Sequence, residues 1–582
     1  MKLFVSMYRI RHRIRAVGHR SAAVSVALLG VISACFLSGC TAQRGASSAD
    51  GQPNIIVILA DDLGYSDLGS YGGEIDTPNL DRLAEEGLRF TQFYNTSRCV
   101  PTRGSLLTGL YPHQAGVGRM TFDAGEPGYR GYLTENTVTI AEVLKQAGYR
   151  TGMVGKWHVS QTIERKDRDE QLAWLAHQAD YGDFSPREQY PTARGFDDYF
   201  GNIWGVVDYF DPFALVNGTE PVKDVPDGYY HTDAISDSAV AYIERYSRGD
   251  APFFLYVAHT APHWPLHALP EDIAKYEDTY KGGWDAIREA RYRRMVDLGI
   301  VEDGTALSPR IRPELDWSTN PDSVWDARAM AVHAAMVDRM DRGIGRILAK
   351  LEETGELDNT IIFFLSDNGA SPERPSQFGP GFDRAGATRD GRKVYFPVDK
   401  DPAHLPGPQE VHSGIGPMWS NTANTPFRWW KAKVHEGGIA TPLIVHWPKG
   451  LKTPPGTITN QPGHVIDIMA TAVELAGASY PTTYEGRTIT PLEGKSLTPI
   501  FRGETREGHD ALFWEHFGAR AVRQGNWKLV APDAGAPWEL YNLAEDRTEL
   551  NNLADAYPEK VAALDSLWNR LAEHTLVVPR PQ

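Results

Sequence analysis

The sequence predicts an α/β protein with a large, mostly parallel central sheet flanked by helices, and a smaller C-terminal unit of antiparallel sheet plus helix. Three observations carry this. Short apolar runs without alternation recur along the first 460 residues, and amphipathic stretches of helical period lie between them. After Pro462 the texture changes to closely spaced strand-like runs broken by turn residues. Continuous apolar runs suit strands buried on both faces, and strands alternating with helices make a parallel sheet covered on both sides.

The chain opens differently. Lys2, Arg9, Arg11, Arg13, Arg15 and Arg20 form a basic leader, an apolar run follows from Ala22 to Leu37, and Leu37-Ser38-Gly39-Cys40 ends it. Basic, apolar and then small residues read as an export signal over residues 1–39. The ending resembles the bacterial lipobox, in which Cys40 is lipidated and becomes the new N-terminus. The competing reading is a retained anchor, since the run approaches the roughly 20 residues of a membrane span. The small residues before Cys40 favour cleavage. Either way the body is expected outside the cytoplasm, as a bacterial lipoprotein at the periplasmic face or outer membrane. Residues 40–53 are small and polar, a flexible tether.

Residues 54–460 form the expected catalytic domain. Asn54–Ala60, Thr151–Val154, Phe253–Val257, Ile361–Leu365 and Leu443–Trp447 read as strands. Thr139–Ala147 and His333–Leu351 read as helices, the second with Met336, Met340, Ile344, Ile347 and Leu351 on one face. Glu164–Arg194 and Ser371–Ile415 are irregular, as long loops shaping a pocket would be. Residues 461–582 form the C-terminal unit, with runs at 511–516, 520–523, 527–530 and 538–541 and a helix over Pro558–Thr575.

At 582 residues, 41% hydrophobic and 23% charged, the chain is an ordinary globular protein, and its formal charge of −16 argues against a nucleic-acid partner. It has three cysteines. Cys35 leaves with the leader and Cys40 carries lipid, so Cys99 is left without a disulfide partner in an oxidising compartment.

Candidate chemistry gathers at strand ends. Asp61-Asp62 follow the first strand and Asp367-Asn368 follow the strand at 361–365. In open α/β sheets ligands collect at carboxyl ends of strands. A single acid there commonly caps a helix; two adjacent acids repel, and a cation relieves that. Oxygen donors of this kind suit Ca²⁺ or Mg²⁺. Pro101 fits the first turn of a helix, placing Cys99 just outside its start, where free N–H groups favour an anion, with Arg103 one turn on. A lone buried cysteine is otherwise structural. Lys156 and His158 point the same way if the strand before them continues. His259, His263 and His267 are spaced by four, but Pro262 and Pro265 preclude a helix and no thiol or acid completes a zinc set.

Asp61-Asp62, Cys99-Val-Pro-Thr-Arg103, Gly155-Lys-Trp-His158, Ala261-Pro-His-Trp-Pro-Leu266 and Ser366-Asp-Asn-Gly369 come in an order that resembles the formylglycine-dependent (type I) sulfatases. Lys431, five residues before Glu436-Gly-Gly-Ile439, completes the pattern, which is most like bacterial arylsulfatases of the alkaline phosphatase-like superfamily. The resemblance runs from Pro53 to about Pro448, with Trp527-Lys-Leu529 and Leu540-Tyr-Asn-Leu543 also family-like. It implies an enzyme cleaving aryl sulfates or sulfated carbohydrates, with Cys99 oxidised to formylglycine by a maturation enzyme. It implies a divalent cation, usually Ca²⁺, on Asp61, Asp62, Asp367, Asn368 and residue 99. Arg103, Lys156 and Lys431 would hold sulfate, His158 would act as base, and His263 would stand beside the leaving group. Lys433 is the confounder for Lys431, and His259 and His267 are the lesser candidates for His263. Two alternatives stay open: a phosphomonoester or phosphodiester hydrolase on the same sheet, and a catalytically silent lipoprotein that binds sulfated glycans. Trp204, Trp264, Trp419, Trp429 and Trp430 are either a stacking platform or core.

Overall fold

In the run from Asn54 to Ala60 alternate side chains enter different cores. Ile56, Ile58 and Ala60 pack on one face and Ile55, Val57 and Leu59 on the other, so this stretch is strand β1 (Asn54–Ala60), buried on both sides. The structure is a computed structural model that describes residues 51–578, 580 and 581. The expected leader (1–39), Cys40 and the tether as far as residue 50 lie outside the described residues.

The other strands of the large sheet are β2 (Leu88–Tyr94), β3 (Arg150–Gly155), β4 (Asp198–Asn202), β5 (Leu215–Asn217), β6 (Glu220–Pro221), β7 (Phe253–Ala258), β8 (Thr360–Ser366), β9 (Ala440–His446), β10 (Thr457–Thr459) and β11 (Gly463–His464). Their order is β10-β2-β9-β8-β1-β7-β3-β4-β5-β6, with β11 also on β2. β8, β1, β7, β3 and β4 run parallel, with Val57 opposite both Tyr256 and Phe363. β9 is antiparallel to β8 and β2. The expected mostly parallel sheet is therefore present, and its parallel centre aligns five carboxyl ends side by side.

Two expectations are corrected. The long helix begins at Ser323, ten residues before the expected His333, and runs to Thr354. Trp325 and Met330 in the added turns are buried, so tertiary packing extends the helix beyond its cleanly periodic part. The boundary at residue 460 also falls too early. β11 pairs with β2, and Val465 together with Ile468 and Met469 of the helix it precedes, Ile466–Leu475, belong to the core beneath the large sheet. A two-residue hairpin, β12 (Thr483–Tyr484) and β13 (Arg487–Thr488), follows.

The small antiparallel sheet has the expected form: β14 (Leu512–His516), β15 (Ala519–Gln524), β16 (Trp527–Ala531) and β17 (Glu539–Asn542), in that order. Phe513, Val522, Leu529 and Leu540 pack against Leu564, Trp568 and Ala572 of the closing helix, Pro558–His574. A charged knot ties this sheet to the large one. Lys528 Nζ lies 2.9 Å from Glu436 Oε1 and 2.8 Å from Glu549 Oε1, all three side chains being fully buried. Burial works against the Glu436 carboxylate, but Lys528, Arg547 and Arg523 together hold its pKa below the ordinary range. A depressed carboxylate pKa contributes stability that is present above the unfolded value and is lost as pH falls below about 4.5. Lys528→Met strands two buried carboxylates, and urea denaturation at pH 7 should show a loss of about 3–5 kcal/mol. An unchanged midpoint would show that the knot contributes nothing to stability.

Candidate active site

Because β8, β1, β7 and β3 are neighbours, their carboxyl ends deliver Asp367-Asn368, Asp61-Asp62, the loop carrying His263, and Lys156–His158 to one place. Asp62 sits at φ 66°, a left-handed conformation that aspartate tolerates. Asn368 Nδ2 donates to Asp62 Oδ1 at 2.7 Å, and the Asp62 N–H donates to Asp367 Oδ1 at 3.3 Å.

The helix Cys99–Thr108 closes the site from the side. Cys99 is its first residue rather than lying just outside it, while Pro101 is in the first turn as expected. The Cys99 side chain is buried, and burial raises its thiol pKa against the pull of Lys156 and Lys431. One turn on, Arg103 is wholly buried. Its Nη2 and Nε donate to Asp367 Oδ2 at 2.8 and 3.1 Å, and its Nη1 donates to the Lys156 carbonyl at 2.9 Å.

Lys156 and His158 reach the site by a turn, not by continued strand alternation. β3 ends at Gly155 with φ 93°, and His158 has φ 55°. Lys156 Nζ donates to Asp61 Oδ2 at 2.5 Å. Burial, then Lys156 and Arg103, pull the His158 pKa well below that of free histidine, so the ring is neutral at pH 7. Its position depends on Gly205, where an added Cβ would come 2.2 Å from the ring's Cε1 and Nε2.

His263 Nδ1 donates to the Trp264 carbonyl at 2.5 Å, which leaves the lone pair of the neutral ring on Nε2. Burial lowers this pKa to about 4. Lys431 Nζ stands 3.2 Å from that nitrogen and 2.7 Å from Asp62 Oδ1. Burial opposes the Lys431 charge, but Asp62 and Glu373 raise its pKa above the ordinary value. Lys433 instead turns to the Pro532 carbonyl and Asp533, in the loop that follows β16. His259 is buried away from this cluster, and His267 faces Asp208.

Two charged groups escaped sequence reasoning. Glu373 Oε1 pairs with Arg98 Nη2 at 2.9 Å, while its Oε2 accepts from Trp264 Nε1 at 2.8 Å and lies 3.4 Å from Lys431 Nζ. Glu373 lies in the irregular 371–415 loop, where no periodicity marks it; the one available signal was Arg98 beside Cys99. Of the five tryptophans, Trp264 lies against His263 with ring centroids 4.7 Å apart, whereas Trp204 and Trp419 are buried in aromatic clusters.

The carboxylates fit a hard cation. Asp61 Oδ1, Asp62 Oδ2 and Asn368 Oδ1 are buried without a hydrogen-bond partner. Burial disfavours the Asp61 anion, yet Lys156, His263, Arg103 and Lys431 hold its pKa below the usual range. Burial and the adjacent Asp61 push the Asp367 pKa up instead. Two such carboxylates remain ionised together when a divalent ion lies between them. Asp61, Asp62 and His263 also bring ligand atoms within 4.8 Å of one another. Lys431 Nζ beside His263 Nε2 disfavours a metal at that nitrogen.

A family model described as Sulfatase matches residues 53–478. This chain belongs to the sulfatase family. A second model, N-sulphoglucosamine sulphohydrolase, C-terminal, matches residues 426–576. An arylsulfatase of Klebsiella aerogenes is 33% identical over 479 residues, 78% of this chain and 94% of the relative. An uncharacterised sulfatase of Schizosaccharomyces pombe is 34% identical over 565 residues, 91% and 95% of the two chains. The crystal structure of Ps i-CgsB superposes with a TM-score of 0.61 at 25% identity, covering 90% of this chain and 93% of that one. This sulfatase is a sulfate ester hydrolase. Gly205→Ala, which pushes His158 out of place, should lower kcat on phenyl sulfate on the order of 100-fold with the fold retained. Wild-type turnover would show that the His158 position is unimportant.

Proposed function

We propose that this sulfatase cleaves sulfate monoesters through formylglycine made from Cys99, with Ca²⁺ held by Asp61, Asp62, Asp367, Asn368 and residue 99. One observation carries the reading. Three unpartnered buried oxygens and the first residue of a buried helix converge with Arg103, Lys156 and Lys431 at four adjacent strand ends. Ca²⁺ there supplies positive charge that lowers the pKa of a hydroxyl on residue 99 and offsets charge on the sulfuryl oxygens. Formylglycine, as its hydrate, supplies a nucleophilic hydroxyl and a second hydroxyl on the same carbon whose deprotonation expels sulfate.

The rest is positioning and charge, as a loose transition state requires. Lys156 and Lys431 bind sulfuryl oxygens. Arg103, locked between Asp367 and the Lys156 carbonyl, fixes the carboxylate beside residue 99. Lys431, the charged donor whose Nζ stands 3.2 Å from the lone pair of neutral His263 Nε2, supplies the proton for the departing oxygen. Neutral His158 takes the proton from the second hydroxyl. Lys156, His158, His263 and Lys431 occupy the ground on which a second metal would need carboxylates, which favours sulfate over phosphate esters. Since Cys99 is buried in the folded chain, a maturation enzyme must reach it before folding is complete. Mass spectrometry of the tryptic peptide Cys99–Arg103, from protein made in a host competent for this conversion, should show aldehyde in place of thiol. An unmodified thiol in protein that releases sulfate at full rate would refute the proposal.

A further inference from the structure

Glu373 takes no step in the reaction described above, yet its carboxylate closes a ring of contacts on the leaving-group side of the site. Its Oε2 accepts from Trp264 Nε1 at 2.8 Å, and the Trp264 carbonyl accepts from His263 Nδ1 at 2.5 Å. His263 Nε2 stands 3.2 Å from Lys431 Nζ, which lies 3.4 Å from Glu373 Oε2 again. One carboxylate oxygen thus touches both the lysine and the residue that orients the histidine.

The carboxylate is itself held in direction. Its Oε1 pairs with Arg98 Nη2 at 2.9 Å, and Ser371 Oγ donates to Oε2 at 3.0 Å. Arg98 directly precedes residue 99, and Ser371 follows the loop that carries Asp367 and Asn368. The Arg98 and Glu373 side chains are only 21% and 18% exposed, so the pair is screened less than one in open solvent. Lys431, a point charge on a flexible four-carbon stem, needs such fixing. Its other anionic neighbour, Asp62 at 2.7 Å, is assigned to the cation. Glu373 is the carboxylate beside Lys431 that has no metal to hold.

We propose that Glu373 is a positioning residue for departure of the alcohol: it holds Lys431 Nζ at the departing oxygen and, through Trp264, keeps His263 in register with that lysine. This rests on the reading in which Lys431 supplies the proton. The hydroxyl of residue 99 forms the new bond to sulfur as the bond to the alcohol breaks. The electron pair of the broken bond goes to the departing oxygen, which takes a proton from Lys431. The neutral amine regains its proton from water once the alcohol has left. Glu373 exchanges no proton and touches no substrate, so its loss should cost most where the leaving oxygen most needs a proton.

The test is kcat/KM of formylglycine-bearing protein on two esters. Phenyl sulfate releases a weakly acidic phenol that departs poorly without a proton; 4-nitrophenyl sulfate releases a phenolate that departs readily. Glu373→Gln keeps an acceptor oxygen for the Trp264 N–H but removes the charge beside Lys431. It should lose on the order of 100-fold on phenyl sulfate and several-fold at most on the nitrophenyl ester. Trp264→Phe, which keeps a ring and removes the N–H, should move the ratio of the two esters the same way by about three- to tenfold. Lys431→Met, which removes the donor, should tilt the ratio at least as far as Glu373→Gln. Comparing the esters within each variant cancels any loss of folded or modified protein. Equal losses on both esters in Glu373→Gln or in Trp264→Phe, while Lys431→Met still discriminates, would overturn the proposal and leave Lys431 as the proton donor. Equal losses in Lys431→Met would overturn both.

Discussion

Cys99→Ala is expected to lower kcat for an aryl sulfate by on the order of 10⁴–10⁶-fold, the scale seen when an enzyme's nucleophile is removed. That is about 5–8 kcal/mol of transition-state stabilisation. The fold should survive, because the change deletes a single sulfur from a helix buried along its length; a stability loss of about 1 kcal/mol is ordinary for such a substitution. Circular dichroism and urea midpoints separate the two effects. Cys99→Ser sharpens the test. A serine oxygen, if left unmodified, can accept the sulfuryl group as the alcohol departs, but it has no second hydroxyl on the same carbon to expel sulfate. One equivalent of alcohol followed by a stall is the expected record. Steady turnover by either variant would remove residue 99 from the mechanism.

Removal of the divalent cation should have the next largest effect. Without it Asp61, Asp62 and Asp367 face one another, with three buried oxygens of this cluster unpartnered. Dialysis against a chelator should abolish turnover and Ca²⁺ should restore it. Binding to the folded state alone adds about 2.7 kcal/mol at a cation concentration 100 times Kd, so the unfolding midpoint should rise with added Ca²⁺. Asp62→Asn, which preserves size and removes one charge, should cost at least about 100-fold in activity (~2.7 kcal/mol) and blunt the Ca²⁺-dependent rise in midpoint. Full activity in chelator would refute the metal site.

Much of this was legible in the residues. The apolar runs at 54–60, 253–257 and 361–365 gave strands because only a doubly covered sheet hides such sequences. Acids placed directly after two of those runs pointed to a shared strand end, and Lys431 was separated from Lys433 by its distance to Glu436-Gly437-Gly438. The errors have local causes. The helix at 323–354 begins in alanine-rich turns whose burial comes from neighbours, not from period. The change of texture after Pro462 reflects a return of the chain to the edge of the first sheet at Gly463–His464 before the second sheet begins. Strand alternation failed at Lys156 because Gly155 and His158 adopt left-handed conformations that no spacing rule announces.

The sequence by itself determined the fold class, the run of chemical motifs and the residue types gathered at the site, because apolar period and strand-end chemistry are local properties of the chain. Tertiary structure alone decided which strands are neighbours, and therefore that four separate motifs meet at one place. It also decided that Glu373 and Arg98 brace the site and that Trp264 opens onto Phe378 and Phe382. The Arg98–Glu373 and Trp264–Phe378 contacts join residues more than a hundred positions apart, and sheet order and loop packing, which no local pattern encodes, bring them together.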